Sequence, residues 1–221
     1  MAEAKTGPKL GFFGPMKTLD SAQYGFEELP GGRFRAWIKH DTMKGVTPPI
    51  LRWWFEHIDT FSSYNGQDFS GPFVPVYRFW HPFDHIAIRW AKRVNGSDGR
   101  LGPGSVIAIQ ENIAAKHPVR AKARVTKFDE EAFNFEPLLG GLLPVGQVVH
   151  EYAPVEDGVS FYTCVEIGIT TPLIGPVLNW IIRKVAFSKE MFQDWILHNI
   201  EESGETEKFV PVLFAHAHAE E

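Results

Sequence analysis

The chain holds a single cysteine, Cys164, so it can close no disulfide within itself and build no cysteine zinc finger. It lacks any uninterrupted apolar run of the ~18 residues that would suggest a membrane span. The nearest stretch, 173–187, is interrupted by Gly175, Pro176, Asn179, Arg183 and Lys184. Residues 1–17 have no apolar core of the kind a secretion signal needs. No long basic run is present and the net charge is −5, which argues against nucleic acid as a partner. No repeat or low-complexity segment stands out. A soluble cytoplasmic protein, without membrane or nucleic-acid partners, is the expectation. What is abundant is aromatic surface: 18 Phe and 7 Trp, enough for a large core or for the walls of a deep apolar pocket.

The length suits one large domain with short appendages. Residues 1–32 are rich in Gly, Pro and Lys and have no clear period, so they are expected to form an N-terminal arm anchored by Phe12, Phe13 and Phe26. A domain is expected over 33–204, with a frayed C-terminal tail over 205–221. Within the domain, 34–40 alternates as a first strand. Thr47-Pro48-Pro49 then opens a helix over 50–58, with Thr47 as cap. A strand-like run follows at 74–79. Further strands are expected at 106–110, 120–127, 132–136, 145–152 and 159–169. In 120–127, Ala121, Ala123 and Val125 face one side and Arg120, Lys122 and Arg124 the other, the mark of a sheet with one wet face. Helices are expected at 174–185 and 188–203, the last stopped by Gly204. Strand, helix, antiparallel strands and a long C-terminal helix define an α+β layout. The order resembles helix-grip folds of the START and pollen-allergen type, in which a sheet wraps a terminal helix around a cavity.

Three segments carry candidate chemistry. Trp80-His81-Pro82-Phe83-Asp84-His85 packs two imidazoles and a carboxylate into six residues. Glu111 ends an apolar strand and should point the way Ile107 and Ile109 do. His198 and Glu202, four apart, share a helix face with Met191 and Trp195, away from Gln193, Asp194 and Glu201. Each has a plainer reading: loop histidines, a solvated strand end, a salt bridge at a fraying helix. Together, inward carboxylates repel unless a cation sits between them. His81, Glu111, His198 and Glu202 offer two nitrogens and two oxygens, a set that suits Zn2+, with Mn2+ or Fe2+ as lesser options.

These motifs resemble the 2,4-diacetylphloroglucinol hydrolase family, to which phloretin hydrolase is related. The resemblance covers roughly residues 33–204. It implies a zinc enzyme that hydrolyses the carbon–carbon bond between an acyl group and a phenolic ring, with an aromatic ketone as substrate. It implies metal positions at His81, Glu111, His198 and Glu202, a polar residue near the substrate at Asp84, and an assisting pocket histidine at His150. His85 and Tyr162 are further candidates for the acid that protonates the departing ring carbon. Relatives carry a longer N-terminal region used in assembly, whereas about thirty residues precede the first strand here, a departure that leaves the oligomeric arrangement, a homodimer among the options, outside what the resemblance implies. Two other readings compete: a non-catalytic carrier of an apolar or aromatic molecule, and a metal oxygenase or cyclase on the same fold.

Overall fold

The computed structural model describes residues 7–185 and 187–219. Its main sheet has eight long strands: β1 (Ala22–Leu29), β2 (Arg33–His40), β3 (His85–Lys92), β4 (Val106–Ile113), β5 (His117–Phe128), β6 (Ala132–Leu139), β7 (Gly146–Val155) and β8 (Gly158–Ile167). All pairings are antiparallel, in the order β1-β2-β8-β7-β6-β5-β4-β3, so the first two strands cross over to join the last. The helices are α1 (Pro48–His57), α2 (Val76–Trp80), α3 (Gly175–Val185) and α4 (Lys189–Ala219). This is the α+β helix-grip arrangement: one curved sheet closed over a long C-terminal helix. Among the described residues no helix is long and apolar enough to cross a membrane.

Alternation decides which side chains enter the space between sheet and helix. On β8, Val159, Phe161, Thr163, Val165 and Ile167 are buried, while Tyr162, Cys164 and Glu166 occupy the outer face with Arg35 and Trp37. On β5 the expected split between Ala123/Val125 and Lys122/Arg124 is present.

Several expectations need correction. Residues 22–29 are not part of an arm but the edge strand β1, where Phe26 packs on Phe34 and Phe192. The arm ahead of it is well seated: Phe13 lies 5.2–5.7 Å from the rings of Phe79, Tyr64 and Phe209, whereas Phe12 remains 46% exposed. Thr47 makes no side-chain capping bond, although prolines do begin α1. The run at 74–79 is largely the short helix α2: Val76, Tyr77, Phe79 and Trp80 are all buried around exposed Arg78, a helical spacing and not an alternating one. Strand β3 was hidden by irregular pairing with β4, which breaks alternation at His85/Ala87 and Trp90/Lys92.

The largest correction concerns α4, which continues through Gly204 to Ala219, so that 205–219 of the expected tail are helix, while 220–221 lie outside the described residues. Gly204 is there for contact: a Cβ would lie 2.5 Å from the Lys17 side chain of the arm. The extra turns bury Phe209, Val210 and Leu213, and Phe209 meets Trp54 of α1 edge-on at 5.1 Å. His216 stacks on Phe69 at 3.6 Å.

Candidate metal centre

Between the sheet and α4 lies a cavity with about 1040 Å3 of empty space, the open solvent at its mouth included. Its walls are mainly aliphatic and aromatic. Glu111, His198, Asn199, Glu202, Tyr77 and His150 are the polar exceptions. Strand β4 delivers Glu111 on the same face as Ile107 and Ile109, and α4 delivers His198 and Glu202 one turn apart. His85 arrives opposite Glu111 at the start of β3, where the strands pair His85 with Glu111.

Protons in this cluster can be followed one by one. His85 Nδ1 lies 2.8 Å from the Tyr77 carbonyl oxygen, which can only accept, so Nδ1 carries the hydrogen. Burial, and then the neighbouring His198 and His81, push His85 well below the usual imidazole range. Its Nε2 is therefore bare at neutral pH. Among the described residues that atom is buried without a hydrogen-bond partner, yet it stands 3.2 Å from Glu202 Oε2 and 3.8 Å from Glu111 Oε1. His198 repeats the pattern. Its Nδ1 donates to Asp84 Oδ2 at 2.9 Å, and Nε2 faces Glu202 Oε2 at 3.6 Å. His85, His198 and Glu202 thus each offer a donor atom within 4.8 Å of the others, and Glu111 Oε1 stands beside them, 3.8 Å from His85 Nε2. Donors around zinc at ~2.1 Å would stand about 3.4 Å apart, close to the 3.2 and 3.6 Å between Glu202 Oε2 and the two imidazoles.

Without a cation the cluster must hold protons. Burial pushes Glu202 up to about 8, with Glu111 and Asp84 adding repulsion against the pull of His198. For His198 burial works downward but is outweighed by Glu202, Asp84 and Glu111, leaving it raised to about 9. Burial likewise raises Glu111. A divalent ion would replace these protons and satisfy the bare His85 nitrogen, so the residues fit the metal.

The surrounding groups hold these donors in place. Tyr77 stacks on His85 with ring centroids 3.7 Å apart and planes within 5°, and its hydroxyl donates to Glu111 Oε1. Asn199 Nδ2 donates to Glu202 Oε1. Asp84 accepts from both His198 Nδ1 and the Ala114 amide; burial would raise its pKa, but His198, His81 and that amide hold it down at about 2. A carboxylate behind a metal-facing histidine sets tautomer and ring orientation. Asp84→Asn is therefore expected to weaken zinc binding by about 10–100-fold while the fold persists, measurable by competition against a chelating dye.

Of the residues expected as metal positions, His198 and Glu202 come together, and Glu111 lies beside them, 3.8 Å from His85. The imidazole that joins His198 and Glu202 is His85 and not His81. The His81 ring is committed elsewhere: Nδ1 accepts from the Asp84 amide at 3.1 Å, and Nε2 donates to Glu201 Oε2 at 3.1 Å. His81 instead stacks against His198 at 4.6 Å. Its group with Asp84 and His198 is already closed by hydrogen bonds, whereas the His85 group is open. Asp84 is a support for His198 and not a substrate contact. Tyr162 lies on the outer face of the sheet, pushed up to about 12 by burial and Cys164, and is removed from the catalytic set. His150 does line the cavity, but burial lowers it to about 3, so it is no imidazolium acid at neutral pH. Glu201, expected on the charged face, is buried and takes Lys9 Nζ at 2.8 Å as well as His81. Tyr77, Asn199 and Lys9 were missed. Only Asn199, three residues ahead of Glu202 on one helix, left a readable signal.

No protein-family model and no curated protein matches the chain. Solved structures are similar at low identity. A protein from Rhodobacter sphaeroides shares 13% identity with TM-score 0.41, covering 88% of this chain and 99% of its own. A START superfamily protein from Mycobacterium smegmatis shares 9% with TM-score 0.38, covering 80% of this chain and 98% of its own. A polyketide-cyclase-like protein from Corynebacterium glutamicum shares 13% with TM-score 0.35, covering 86% and 96%. At these TM-scores the likeness carries nothing about activity, and the helix-grip description rests on this chain's own strand order.

Proposed function

We propose that the protein is a zinc-dependent hydrolase that cleaves the carbon–carbon bond between an acyl group and a phenolic ring. The supporting observation is the approach of His85 Nε2, bare at neutral pH, and of His198 Nε2 to Glu202, with Glu111 beside His85, at the wall of an apolar cavity. The choice of an acylphenol comes from the motif resemblance described above. Zinc held by these four residues would polarise a ketone or lower the pKa of a bound water to ~7. The chain supplies the rest. Phe55, Phe133 and Phe135 offer flat walls on which an aromatic ring can be held and shielded from water. The Tyr77 hydroxyl, raised well above its usual range by burial and by Glu111, keeps its proton at the cavity wall, where it is held on Glu111 Oε1.

The carrier reading is favoured by the dominance of apolar side chains in the wall. A carrier, however, has no use for two buried carboxylates that repel each other. The two readings separate on elemental analysis of the purified protein, followed by an acylphenol hydrolysis screen with and without chelator. The expected result is about one zinc per chain, with hydrolysis abolished by chelation and restored by zinc. Hydrolysis indifferent to chelator, or a protein that binds no zinc, would overturn the proposal.

A further inference from the structure

Helix α3 carries apolar side chains on both of its sides. The inner side is accounted for. Ile182 joins the buried cluster of Phe34, Phe192 and Ile196, and the Asn179 side chain donates to the carbonyls of Gly31 at 2.9 Å and Ile169 at 3.0 Å. The outer side is not. Ile174, just ahead of the helix, Val177 and Trp180 recur at three-residue steps and are 58%, 61% and 59% exposed, with Ile181 beside them. A helix that is apolar all round is ordinarily covered all round.

A second apolar point stands next to this stripe. The chain leaves β8 beside the start of β7, where the Gly168 amide donates to the Val145 carbonyl at 2.7 Å. At that same end the turn between β6 and β7 raises Leu142, 85% exposed, with Leu143. Phe187 and Met191, a few residues after α3, line the cavity, as does Pro137 just ahead of the turn. The stripe and the turn therefore border the mouth of the cavity.

Charge decides what covers this platform. Residues 169–189 carry Arg183, Lys184 and Lys189 and no Asp or Glu, in a chain of net charge −5. Residues 137–149 carry no charged side chain. Lys184 Nζ lies over the Trp180 ring at 4.1 Å, and Arg183 and Lys189 share one carboxylate, Glu28, at 3.8 and 3.5 Å. Glu190, next along the chain, lies 3.6 Å from Lys116 of the neighbouring β4–β5 turn. A second copy seated face to face about a two-fold axis would set these cations against their own counterparts. An anionic bilayer surface attracts them and takes up the apolar side chains at the depth of its head groups. Lys and Arg stems lie along apolar surface and keep their charged heads at the lipid phosphates.

We propose that α3 and the β6–β7 turn seat the protein on an anionic lipid surface, with the cavity mouth against the bilayer. An apolar ligand would then pass between lipid and cavity without crossing water. No helix among the described residues can cross a membrane, so the attachment is peripheral. It does not depend on the proposed reaction.

The test is co-sedimentation of the zinc-loaded full chain with vesicles of phosphatidylcholine alone, and of phosphatidylcholine and phosphatidylserine in equal parts. Binding to the mixed vesicles should weaken with added salt, and binding to phosphatidylcholine alone should be weaker by about fivefold or more. Trp180→Asp should weaken binding about tenfold or more and Lys184→Ala about fivefold, with zinc content and circular dichroism unchanged. Val177→Asp reads the same face should Trp180→Asp fail to fold. No binding to the mixed vesicles, equal binding to both kinds, or variants that bind as the parent does overturn the proposal. So does a dimer, seen by sedimentation velocity without lipid, that Trp180→Asp dissolves, because the cover is then a second copy. Vesicle binding by a chain that hydrolyses no acylphenol would defeat the proposed reaction and leave this inference intact.

Discussion

Replacing His85 by alanine is expected to strip the metal from the protein, while replacing His81 by alanine is not. The two residues lie in one six-residue motif, and their order along the chain gives no reason to prefer either. Their hydrogen bonds do. Both nitrogens of His81 are engaged, with the Asp84 amide and Glu201, so its loss removes a neighbour that steadies Asp84 and stacks on His198. Losses of such outlying supports cost about 10–100-fold in metal affinity. His85, by contrast, turns a buried and unprotonated Nε2 toward Glu202 and Glu111. Its loss leaves one imidazole and two carboxylates whose repulsion is relieved only by protonation. His85→Ala should therefore lose more than the ~100-fold upper end for a support and retain no zinc through dialysis, with acylphenol hydrolysis falling to background. Elemental analysis of both variants checks this. A His85→Ala protein with full zinc beside a zinc-free His81→Ala protein would reverse the assignment.

The second large effect concerns pH. In the metal-free protein Glu202 is raised to about 8 and His198 to about 9. The two are coupled, so they titrate as a pair that holds at least one proton at neutrality. Both groups are protonated below their raised pKa values, and zinc binds only the deprotonated forms. Affinity must therefore rise with pH below about 8 and level off above about 9, by roughly tenfold per pH unit for each proton displaced. Stability follows. At a free zinc concentration ~1,000 times the dissociation constant, binding adds about 4 kcal/mol, or roughly 8–16 °C in Tm for a domain of this size. Chelation should remove that increment near pH 8 and remove progressively less as the pH falls toward about 5, where the competing protons have displaced the metal. Thermal unfolding across that range, with and without chelator, measures it. An increment independent of pH would mean that the metal-binding groups are bare before zinc arrives.

The sheet was legible where one face meets water and the other does not, as on β5 and β8, because alternation then survives in the residue types. It was illegible in β3, whose bulges interrupt the alternation, and in α2, whose aromatic residues fill strand and helix alike. Gly204 reads as a stop signal by backbone propensity, yet tertiary contact overrides it: the glycine admits Lys17, and the further turns bury Phe209 and Val210. At the site, a helical spacing of four brought out His198 and Glu202, and strand alternation brought out Glu111. The choice between His81 and His85 depends on which ring nitrogens find partners, and that is a property of space and not of order along the chain. Tyr162 failed for a simpler reason, since one step along a strand moves a side chain to the opposite face.

The contact between Lys9 and Glu201 makes the front of the chain an outer brace of the helix that carries His198 and Glu202. Glu201 and Glu202 are adjacent on α4, one answering to Lys9 and His81, the other facing the donor cluster. A chain begun beyond Lys9, or carrying a bulky fusion against it, would leave Glu201 with His81 alone and slacken the very turn that aims Glu202. Loss of zinc on trimming the front end would then be a symptom of a loosened helix, far along the sequence from the cut.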